Sequence, residues 1–359
     1  MRLFLKGSSA ALVLGFATTK GRYWDWVPAT YEQLEKAEKR ILQRNIRVPF
    51  EVTKVARLGT VFIPCTGNNS KAEAVKDLVL VHGFAGGNAL WAANVEELAK
   101  FFNVYAVEWI GVGRSDRPEF KHTTYDDADI FIVETFEKWR MEMNLHKFCL
   151  CAHSMGAIFG TSYAIQHPQR VERLVLVSPA GVPRPPPFEE RKKKIESRLI
   201  YRVADFAWRN GVTPMTITRA AGPYGPKLVQ RILKCRISWM PPNSTMRNGA
   251  IEIQELADYM YQNWALKASG ERLIATHLAP GALAVRPLID ELTPEKIGMP
   301  ITFVYGESDW MDYRHTLEII EKLQAHGISA SLYRVKDSGH LPFLDNPREF
   351  NRVVIEALL

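Results

Sequence analysis

Cysteine is scarce in this sequence, and the spacing of the cysteines matches no disulfide or metal-binding pattern. Four cysteines occur in 359 residues: Cys65, Cys149, Cys151 and Cys235. No two of them form a C-x-x-C pair, which argues against a structural zinc site, a redox motif and a set of stabilising disulfides. Cys149 and Cys151 fall within one apolar run. We therefore expect four buried free thiols in a reducing, intracellular compartment.

Two other features are missing: a hydrophobic run long enough to cross a bilayer, and any recognisable nucleic-acid-binding motif. The net charge of +7 nevertheless favours contact with acidic surfaces. Nine tryptophans and seventeen phenylalanines accompany that charge, so the composition favours anionic lipid and predicts no nucleic-acid partner. Any membrane association is then peripheral. The alternative is a basic surface that contacts only water.

Acidic residues are absent from residues 1–22, which carry four basic and four hydroxyl side chains. The apolar run over 10–17 is too short to span a bilayer. Such a composition is typical of a mitochondrial transit peptide. We predict a targeting or membrane-proximal segment at 1–22, with the mitochondrion as one destination.

Residues 23–50 combine a tryptophan-rich stretch with an amphipathic helix. Trp24 and Trp26 precede a helical pattern over Tyr31–Asn45, whose apolar stripe is Leu34, Ala37, Ile41 and Leu42. This pattern suits an anchor on a membrane surface, and it equally suits packing against the main domain. The sequence leaves both interpretations open.

Apolar strands alternate with amphipathic helices over residues 51–181 and 299–359. This rhythm predicts an α/β fold with right-handed β-α-β units, a mostly parallel central sheet and helices on both faces. Two short strands within 51–64 predict a hairpin at the start. A helix over Tyr125–Asn144 is expected to direct four side chains to the core: Ile130, Val133, Phe136 and Trp139.

The alternation stops between residues 182 and 298. A proline-rich stretch opens this part, and helical patterns rich in tryptophan and tyrosine follow. We predict a helical cap inserted into the α/β core. A basic run within it either binds an anionic headgroup or is a solvated helix face: Arg191, Lys192, Lys193, Lys194, Arg198 and Arg202.

The stretch around Ser154 predicts a nucleophile. An apolar strand ends at Ala152–His153, and a helical pattern resumes after Gly156. A serine at such a strand–turn–helix junction has an exposed hydroxyl beside unpaired helix N–H groups. Ala152 stands where the G-x-S-x-G pattern has its first glycine, an intrusion of one methyl group. The alternative is a serine that only caps the helix.

A base and an acid follow the last two predicted strands. His340 comes directly after the final strand, and Asp309 after the strand before it. Carboxyl ends of parallel strands meet at one edge of a sheet, so both side chains are expected beside Ser154. The order nucleophile, acid, base is that of the α/β-hydrolase fold. Asp312 is the alternative acid, and Glu307 is the third choice.

The loop His82–Gly87 follows a continuous apolar strand and is rich in glycine. In this geometry it aims backbone N–H groups at the substrate, and we predict that the N–H groups of Phe84 and Met155 form the oxyanion hole. The alternative is an ordinary glycine-rich turn. The chemistry requires no metal and no cofactor.

The segment from His340 to Asp345 also matches H-x4-D, a pattern associated with glycerolipid acyltransferases. A separate acyltransferase centre is one interpretation. The other takes Asp345 as a residue at the start of a helix, because Asn346 and Pro347 read as an N-cap and a first helical residue.

Several motifs carry a family resemblance: His82–Phe84 with Leu90–Trp91, Gly111–Pro118, the turn at Ser154, Pro179–Pro183, Ala221–Gly225 with Leu228–Arg231, Arg286–Pro287, and His340–Asp345. From Trp24 onward the chain resembles the α/β-hydrolase-domain lipid enzymes of the ABHD4/ABHD5 (CGI-58) group, which include cardiolipin-deacylase-like relatives.

The resemblance implies a serine hydrolase that cleaves acyl ester bonds of (lyso)phospholipids or N-acyl phospholipids through an acyl-enzyme. It also implies association with a membrane or lipid-droplet surface, which adds the lipid droplet and endoplasmic reticulum as destinations. Two alternatives follow: a lysophosphatidate or lysophospholipid acyltransferase, and a non-catalytic co-activator of another lipase. One branch of the group lacks the nucleophile, and Ser154 sets this chain apart from it.

Overall fold

The computed structural model describes residues 28–67, 75–121, 124–248 and 252–359. The predicted targeting segment at 1–22, together with Trp24 and Trp26, lies outside these residues. Within the described ranges, no helix combines the length and the apolar character needed to cross a membrane.

The apolar runs form the strands of one large sheet and one small ribbon. The strands are β1 (Glu51–Val55), β2 (Leu58–Ile63), β3 (Asp77–Val81), β4 (Asn103–Val107), β5 (Phe148–His153), β6 (Val171–Val177), β7 (Leu278–Ala279), β8 (Leu283–Ala284), β9 (Ile301–Gly306) and β10 (Ala330–Val335).

Eight strands pair in the order β1-β2-β4-β3-β5-β6-β9-β10. The β1–β2 hairpin and the β2–β4 pair are antiparallel, whereas the remaining neighbours are parallel. The prediction of an α/β fold with a mostly parallel sheet is therefore confirmed. In the centre of the sheet, β3 and β5 end side by side, which brings their two following loops together.

Helices cover both faces of this sheet. Those of the described residues are α1 (Tyr31–Asn45), α2 (Val95–Leu98), α3 (Tyr125–Glu142), α4 (Met155–Gln166), α5 (Phe188–Glu196), α6 (Leu199–Arg209), α7 (Pro214–Ala220), α8 (Gly225–Ser238), α9 (Ile253–Ala265), α10 (Leu273–His277), α11 (Leu288–Glu291), α12 (His315–Ala325), α13 (Pro342–Asp345) and α14 (Pro347–Leu358).

Strand β3 is apolar at every position after Asp77, and its packing shows why. Its side chains alternate between faces, so Leu78 and Leu80 enter one core with α1 and α14. Val79 and Val81 enter the other core with α3 and α4. A strand with two covered faces has no solvated side, and a continuous apolar run follows from that.

Helix α1 packs against the main domain. Its predicted apolar stripe is buried in the first core, and α9 lies beside it. Thr30 caps it by accepting a hydrogen bond from the Gln33 N–H at 3.2 Å. The stripe is thus already covered by protein, and the interpretation of this helix as a membrane anchor is wrong.

Three expectations about burial are also wrong. Ile130 is half exposed, because the buried stripe of α3 runs through Asp129, Val133 and Phe136 and leaves Ile130 on the outer flank. Cys235 is exposed and Cys65 is partly exposed, so only the two strand cysteines are buried. None of these four cysteines forms a disulfide.

Most of the segment between β6 and β9 is helical. Helices α5 to α11 and the β7–β8 ribbon belong to it, and α9 packs on both α7 and α8. The proline-rich stretch ends where α5 begins, after Pro187. Through α9 this segment lies over the carboxyl ends of the strands, where it contacts the loops described below.

A buried ionic cluster joins α1 to the loop after β4. Glu38 and Glu108 are fully buried on either side of Arg114, which donates from Nε to Glu38 and from its backbone N–H to Glu108 at 2.7 Å. Tyr259 of α9 donates to Glu108 at 3.2 Å. Burial and the nearby charge of Glu108 raise the pKa of Glu38 to about 8, although Arg114 opposes the shift.

This raised pKa predicts a specific dependence of stability on pH. The ordinary value for Glu is 4.5 and the folded value is about 8, so the folded state binds the proton more tightly. The contribution of Glu38 is complete below the ordinary value and is lost as the pH rises towards 8. Between about pH 5 and about pH 9, the unfolding midpoint of the wild type should fall more steeply than that of Glu38→Gln.

Thermal unfolding followed by circular dichroism across this range measures the difference. Glu32→Gln is the matched control, because Glu32 lies on the same helix and is exposed. It should follow the wild type. Equal slopes for wild type and Glu38→Gln would contradict the assignment.

Candidate active site

Ser154 occupies a strained turn between β5 and α4. Its backbone has φ 54° and ψ −120°, a region that non-glycine residues rarely adopt. A methyl group at Gly156 would collide with the His82 carbonyl oxygen, so only glycine allows the loop after β3 to approach this closely. The turn has the geometry of a nucleophile elbow.

The departure at Ala152 is accommodated by a neighbouring glycine. Gly160, one and a half turns into α4, faces Ala152, and a Cβ on Gly160 would lie 3.0 Å from that of Ala152. The helix therefore still crosses β5 closely. The space for one methyl group is provided by the helix rather than by the strand.

The structure brings the three residues predicted as a triad into contact. His340 Nε2 lies 3.0 Å from Ser154 Oγ, and His340 Nδ1 lies 3.1 Å from Asp309 Oδ1. Asp309 Oδ1 also accepts from the Met311 N–H at 3.0 Å, which fixes the carboxylate. Ser154 is only 8% exposed, and the side chain of Asp309 is only 2% exposed. Such an arrangement can deprotonate a serine and stabilise the imidazolium that forms.

The two alternative acids lie elsewhere. Asp312 forms a two-pronged ion pair with Arg314, whose guanidinium holds the pKa of that carboxyl at about 2. Glu307 reaches only the backbone N–H of Asp337, at 3.4 Å. Of the three carboxylates considered from the sequence, only that of Asp309 contacts His340.

His153 has a position that the sequence did not indicate. Its Nε2 lies 2.9 Å from the carbonyl oxygen of His340, although it adjoins Ser154 in the chain. Burial lowers the pKa of the His153 imidazole well below its usual value, and the electrostatic effect of the neighbouring His340 acts in the same direction. A neutral ring then donates its N–H to that carbonyl and holds the backbone of His340 in place.

Asp345 is buried and does not contact the imidazole of His340 in the described structure. Its Oδ2 accepts from the Gly339 N–H at 2.8 Å, and its Oδ1 accepts from Ser244 Oγ at 3.3 Å. Its carbonyl also accepts from the Thr245 N–H at 2.7 Å. Asp345 thus joins the loop that carries His340 to the segment that follows α8.

The loop after β3 lies directly against the serine. A Cβ on Gly83 would lie 2.7 Å from Ser154 Cβ, and the turn over Phe84 and Ala85 is closed by a 3.1 Å bond from the Gly86 N–H to the Gly83 carbonyl. Met155 is the first residue of α4, so its N–H has no acceptor within the helix. The assignment of the Phe84 and Met155 N–H groups as oxyanion donors stays a prediction.

An apolar pocket opens beside these residues. It holds about 430 Å³ of space, its open mouth included. Its walls come from the loops after β3 and β4, from α4 and from the segment between β6 and β9; they include Phe84, Trp109, Ile110, Met155, Phe159, Met215, Trp264 and Leu273. Most of this lining is apolar, which suits an acyl chain, and His82, Arg117, Asn263 and Glu271 are its polar members.

Helix α9 fixes the loop after β3. Asn263 Nδ2 donates to the Gly86 carbonyl at 2.7 Å, and Trp264 Nε1 donates to the Ala85 carbonyl at 3.0 Å. Asn263 Oδ1 also accepts from the Gly113 N–H at 2.9 Å. Sequence reasoning missed Asn263, because a single amide within an amphipathic helix carries no local signal of its contacts.

The chain matches the protein-family model of the α/β hydrolase fold over residues 77–347. A probable 1-acylglycerol-3-phosphate O-acyltransferase from Oryza sativa is 31% identical, and the match covers 94% of this chain and 84% of the relative. The human (lyso)-N-acylphosphatidylethanolamine lipase is 30% identical over 90% of this chain and 91% of its own.

Solved structures share the same architecture. A carboxylesterase from Bacillus subtilis superposes with a TM-score of 0.59 at 20% sequence identity. The match covers 91% of this chain and 98% of the esterase. At this identity the likeness concerns the fold alone.

The carboxylate contacts predict different reactivities for two amide variants. Asp309→Asn keeps the shape but removes the charge that orients and stabilises His340, so labelling of Ser154 by a fluorophosphonate should slow by about 10³-fold or more. Asp312→Asn removes only an exposed ion pair and should stay within about twofold of the wild type. Rates of labelling, resolved on gels, measure both. The opposite ranking would make Asp312 the acid.

Asp345 allows a second prediction with a built-in control. Asp345→Ala leaves the Gly339 N–H without its acceptor and should slow labelling of Ser154 by about tenfold or more, since the His340 loop loosens. Asp345→Asn should recover most of the rate, because its amide can accept from Gly339 and donate to Ser244. If Asp345 instead acts as an acid in a separate acyltransferase centre, both variants should label at Ser154 at the wild-type rate, and both should lose acyl transfer.

Proposed function

The chain belongs to the α/β-hydrolase fold family, among the lipid enzymes of the ABHD4/ABHD5 group, and on this premise we propose a serine esterase. Its substrates are (lyso)phospholipids or N-acyl phospholipids, whose acyl ester bonds it cleaves through an acyl-enzyme. The proposal rests on the continuous line of contacts Ser154–His340–Asp309, together with a largely apolar pocket whose lining includes Met155, the residue after Ser154.

In the first half of the reaction, Ser154 Oγ attacks the carbonyl carbon of the ester while its proton passes to His340 Nε2. Asp309 stabilises the resulting imidazolium through Nδ1. The tetrahedral oxyanion accepts hydrogen bonds from the N–H groups of Phe84 and Met155. Collapse of the intermediate breaks the ester C–O bond, and His340 returns the proton to the departing alcohol, which leaves as a lysolipid.

In the second half, an acceptor hydroxyl attacks the acyl-serine. His340 takes the proton of that hydroxyl, and the bond between the acyl carbon and Ser154 Oγ breaks as the serine regains a proton. Water as the acceptor releases a free fatty acid. The same residues serve both halves, so no further catalytic group is required.

The substrate class rests on the pocket and on the names of relatives. The pocket reaches Met155, the residue after Ser154, and its aromatic and aliphatic walls suit an acyl chain. The human relative is a lipase of (lyso)-N-acylphosphatidylethanolamine, which fits an ester within a phospholipid.

Acyl transfer is the second candidate, favoured by the name of the Oryza sativa relative. In this chemistry a lysophosphatidate or lysophospholipid hydroxyl replaces water as the acceptor of the acyl group. The contacts of Asp345 with Gly339 and Ser244 suit a positioning role, so transfer through the acyl-Ser154 is favoured over a separate H-x4-D centre.

The proposal predicts a complete dependence on Ser154. Purified wild type should release fatty acid from phospholipid in mixed micelles and should react with a fluorophosphonate, whereas Ser154→Ala should lose labelling and at least about 10³-fold of the hydrolysis. Ser331→Ala, on the edge strand β10, is the matched control and should behave as the wild type. Lipid products are identified by mass spectrometry, with a lysophospholipid added in a parallel sample to detect acyl transfer.

Two outcomes would count against this function. Hydrolysis that persists in Ser154→Ala would remove the serine from the mechanism. A wild type that neither reacts with the fluorophosphonate nor turns over lipid, while still raising the activity of another lipase, would make the chain a non-catalytic co-activator.

A further inference from the structure

An exposed apolar stripe runs along helix α6. Leu199, Val203 and Phe206 expose 74%, 57% and 69% of their surface. Phe188, at the start of the preceding helix α5, exposes 63%. Large side chains at this exposure are normally scattered singly over a protein surface, whereas these follow one another within two consecutive helices.

The spacing places the stripe on one side of α6. Residues 199, 203 and 206 follow the i, i+4, i+7 pattern of a single helix face. Trp208 lies half a turn away from Leu199 by helix geometry, and its Nε1 donates to the Leu278 carbonyl at 3.0 Å. Because Trp208 ties one side of α6 to the protein, the stripe points outward.

Basic side chains flank this stripe. Lys192 and Lys193 of α5 are exposed, as are Arg198 and Arg202 at the first turn of α6. These residues belong to the basic run whose role the sequence left open. Of its two other members, Arg191 is partly exposed, and the side chain of Lys194 lies outside the described residues. Apolar groups bordered by cations match the interface of a bilayer that contains anionic lipid.

The apolar surface continues towards the pocket. After α6, Val212 and Ile217 expose 40% and 52% of their surface. Met215, on the same helix α7 as Ile217, lines the pocket beside Phe84. The chain therefore leads from an exposed apolar helix to the wall of the substrate pocket within a few residues.

We propose that α5 and α6 dock the protein on an anionic lipid bilayer. Leu199, Val203 and Phe206 enter the boundary between headgroups and acyl chains, and the flanking lysines and arginines contact lipid phosphates. A fluid lipid surface fits the convex face of a single helix, whereas a protein partner requires a matching groove. The use of this surface to supply substrate rests on the proposed function, but the docking itself does not require Ser154.

Sedimentation of the full chain with vesicles tests this surface. Vesicles of phosphatidylcholine are compared with vesicles that also contain phosphatidylglycerol. The wild type should bind the anionic vesicles more tightly, and added salt should weaken that binding. The double variant Leu199→Glu with Phe206→Glu should bind about tenfold or more weakly, because two inserted side chains are lost.

Two further variants separate apolar insertion from charge. Met141→Glu is the matched control, since Met141 is 62% exposed on α3, outside the stripe; it should bind as the wild type. Lys192→Glu with Lys193→Glu should lose the preference for anionic vesicles. All variants should keep the wild-type circular dichroism spectrum and, where the esterase is active, its rate on a water-soluble short-chain ester.

Several results would overturn the docking surface. One is a wild type that binds neither kind of vesicle, which would indicate that the stripe contacts a protein partner instead. Another is a double variant that binds as well as the wild type. A third is a wild type that elutes as a dimer and a double variant that elutes as a monomer, which would assign the stripe to a second copy of this chain. Ser154→Ala should bind as the wild type, so failed docking and failed chemistry are distinguishable.

Discussion

The other contacts of the candidate site are arranged around the hydrogen bond between His340 Nε2 and Ser154 Oγ, which is 3.0 Å long and spans 186 positions of the chain. It exists because β5 and β10 end at the same edge of the sheet. Other contacts serve to keep it in place. His153 holds the carbonyl of His340, and Asp345 holds the N–H of Gly339. The backbone of the base is thus fixed from two sides, and its ring by Asp309.

The segment between β6 and β9 is part of this support as well as a cover. Asn263 and Trp264 fix two carbonyls of the loop that carries Phe84, while Ser244 contacts the carboxylate behind His340. The pocket and the geometry around Ser154 are therefore coupled through one segment. The same segment carries the exposed apolar stripe of α6, so the proposed docking surface lies a short stretch of chain away from the wall of the pocket.

Local pattern was enough to predict the sheet and the residues that meet around Ser154, because strand ends and their loops are marked by apolar runs that stop abruptly. It failed where burial is decided by distant contacts. From the sequence, the apolar stripe of α1 suits a membrane anchor, but in the structure α9 covers it. The sequence pattern likewise places Ile130 in the core, whereas in the structure Asp129 is buried and Ile130 is half exposed. Asp309 and Asp312 look alike in sequence, and they are separated by their contacts: Asp309 contacts His340, whereas Asp312 pairs with Arg314. The contacts of Asn263 left no local signal.

We propose that Ser154 carries the acyl group between donor and acceptor. Rapid quenching of the wild type with a slowly hydrolysed ester, followed by peptide mass spectrometry, tests this covalent step. We expect one peptide heavier by the acyl mass, modified at Ser154, which forms before the product appears and decays as the ester is consumed. Turnover without that acyl-peptide, or with the acyl group on another residue, would contradict it.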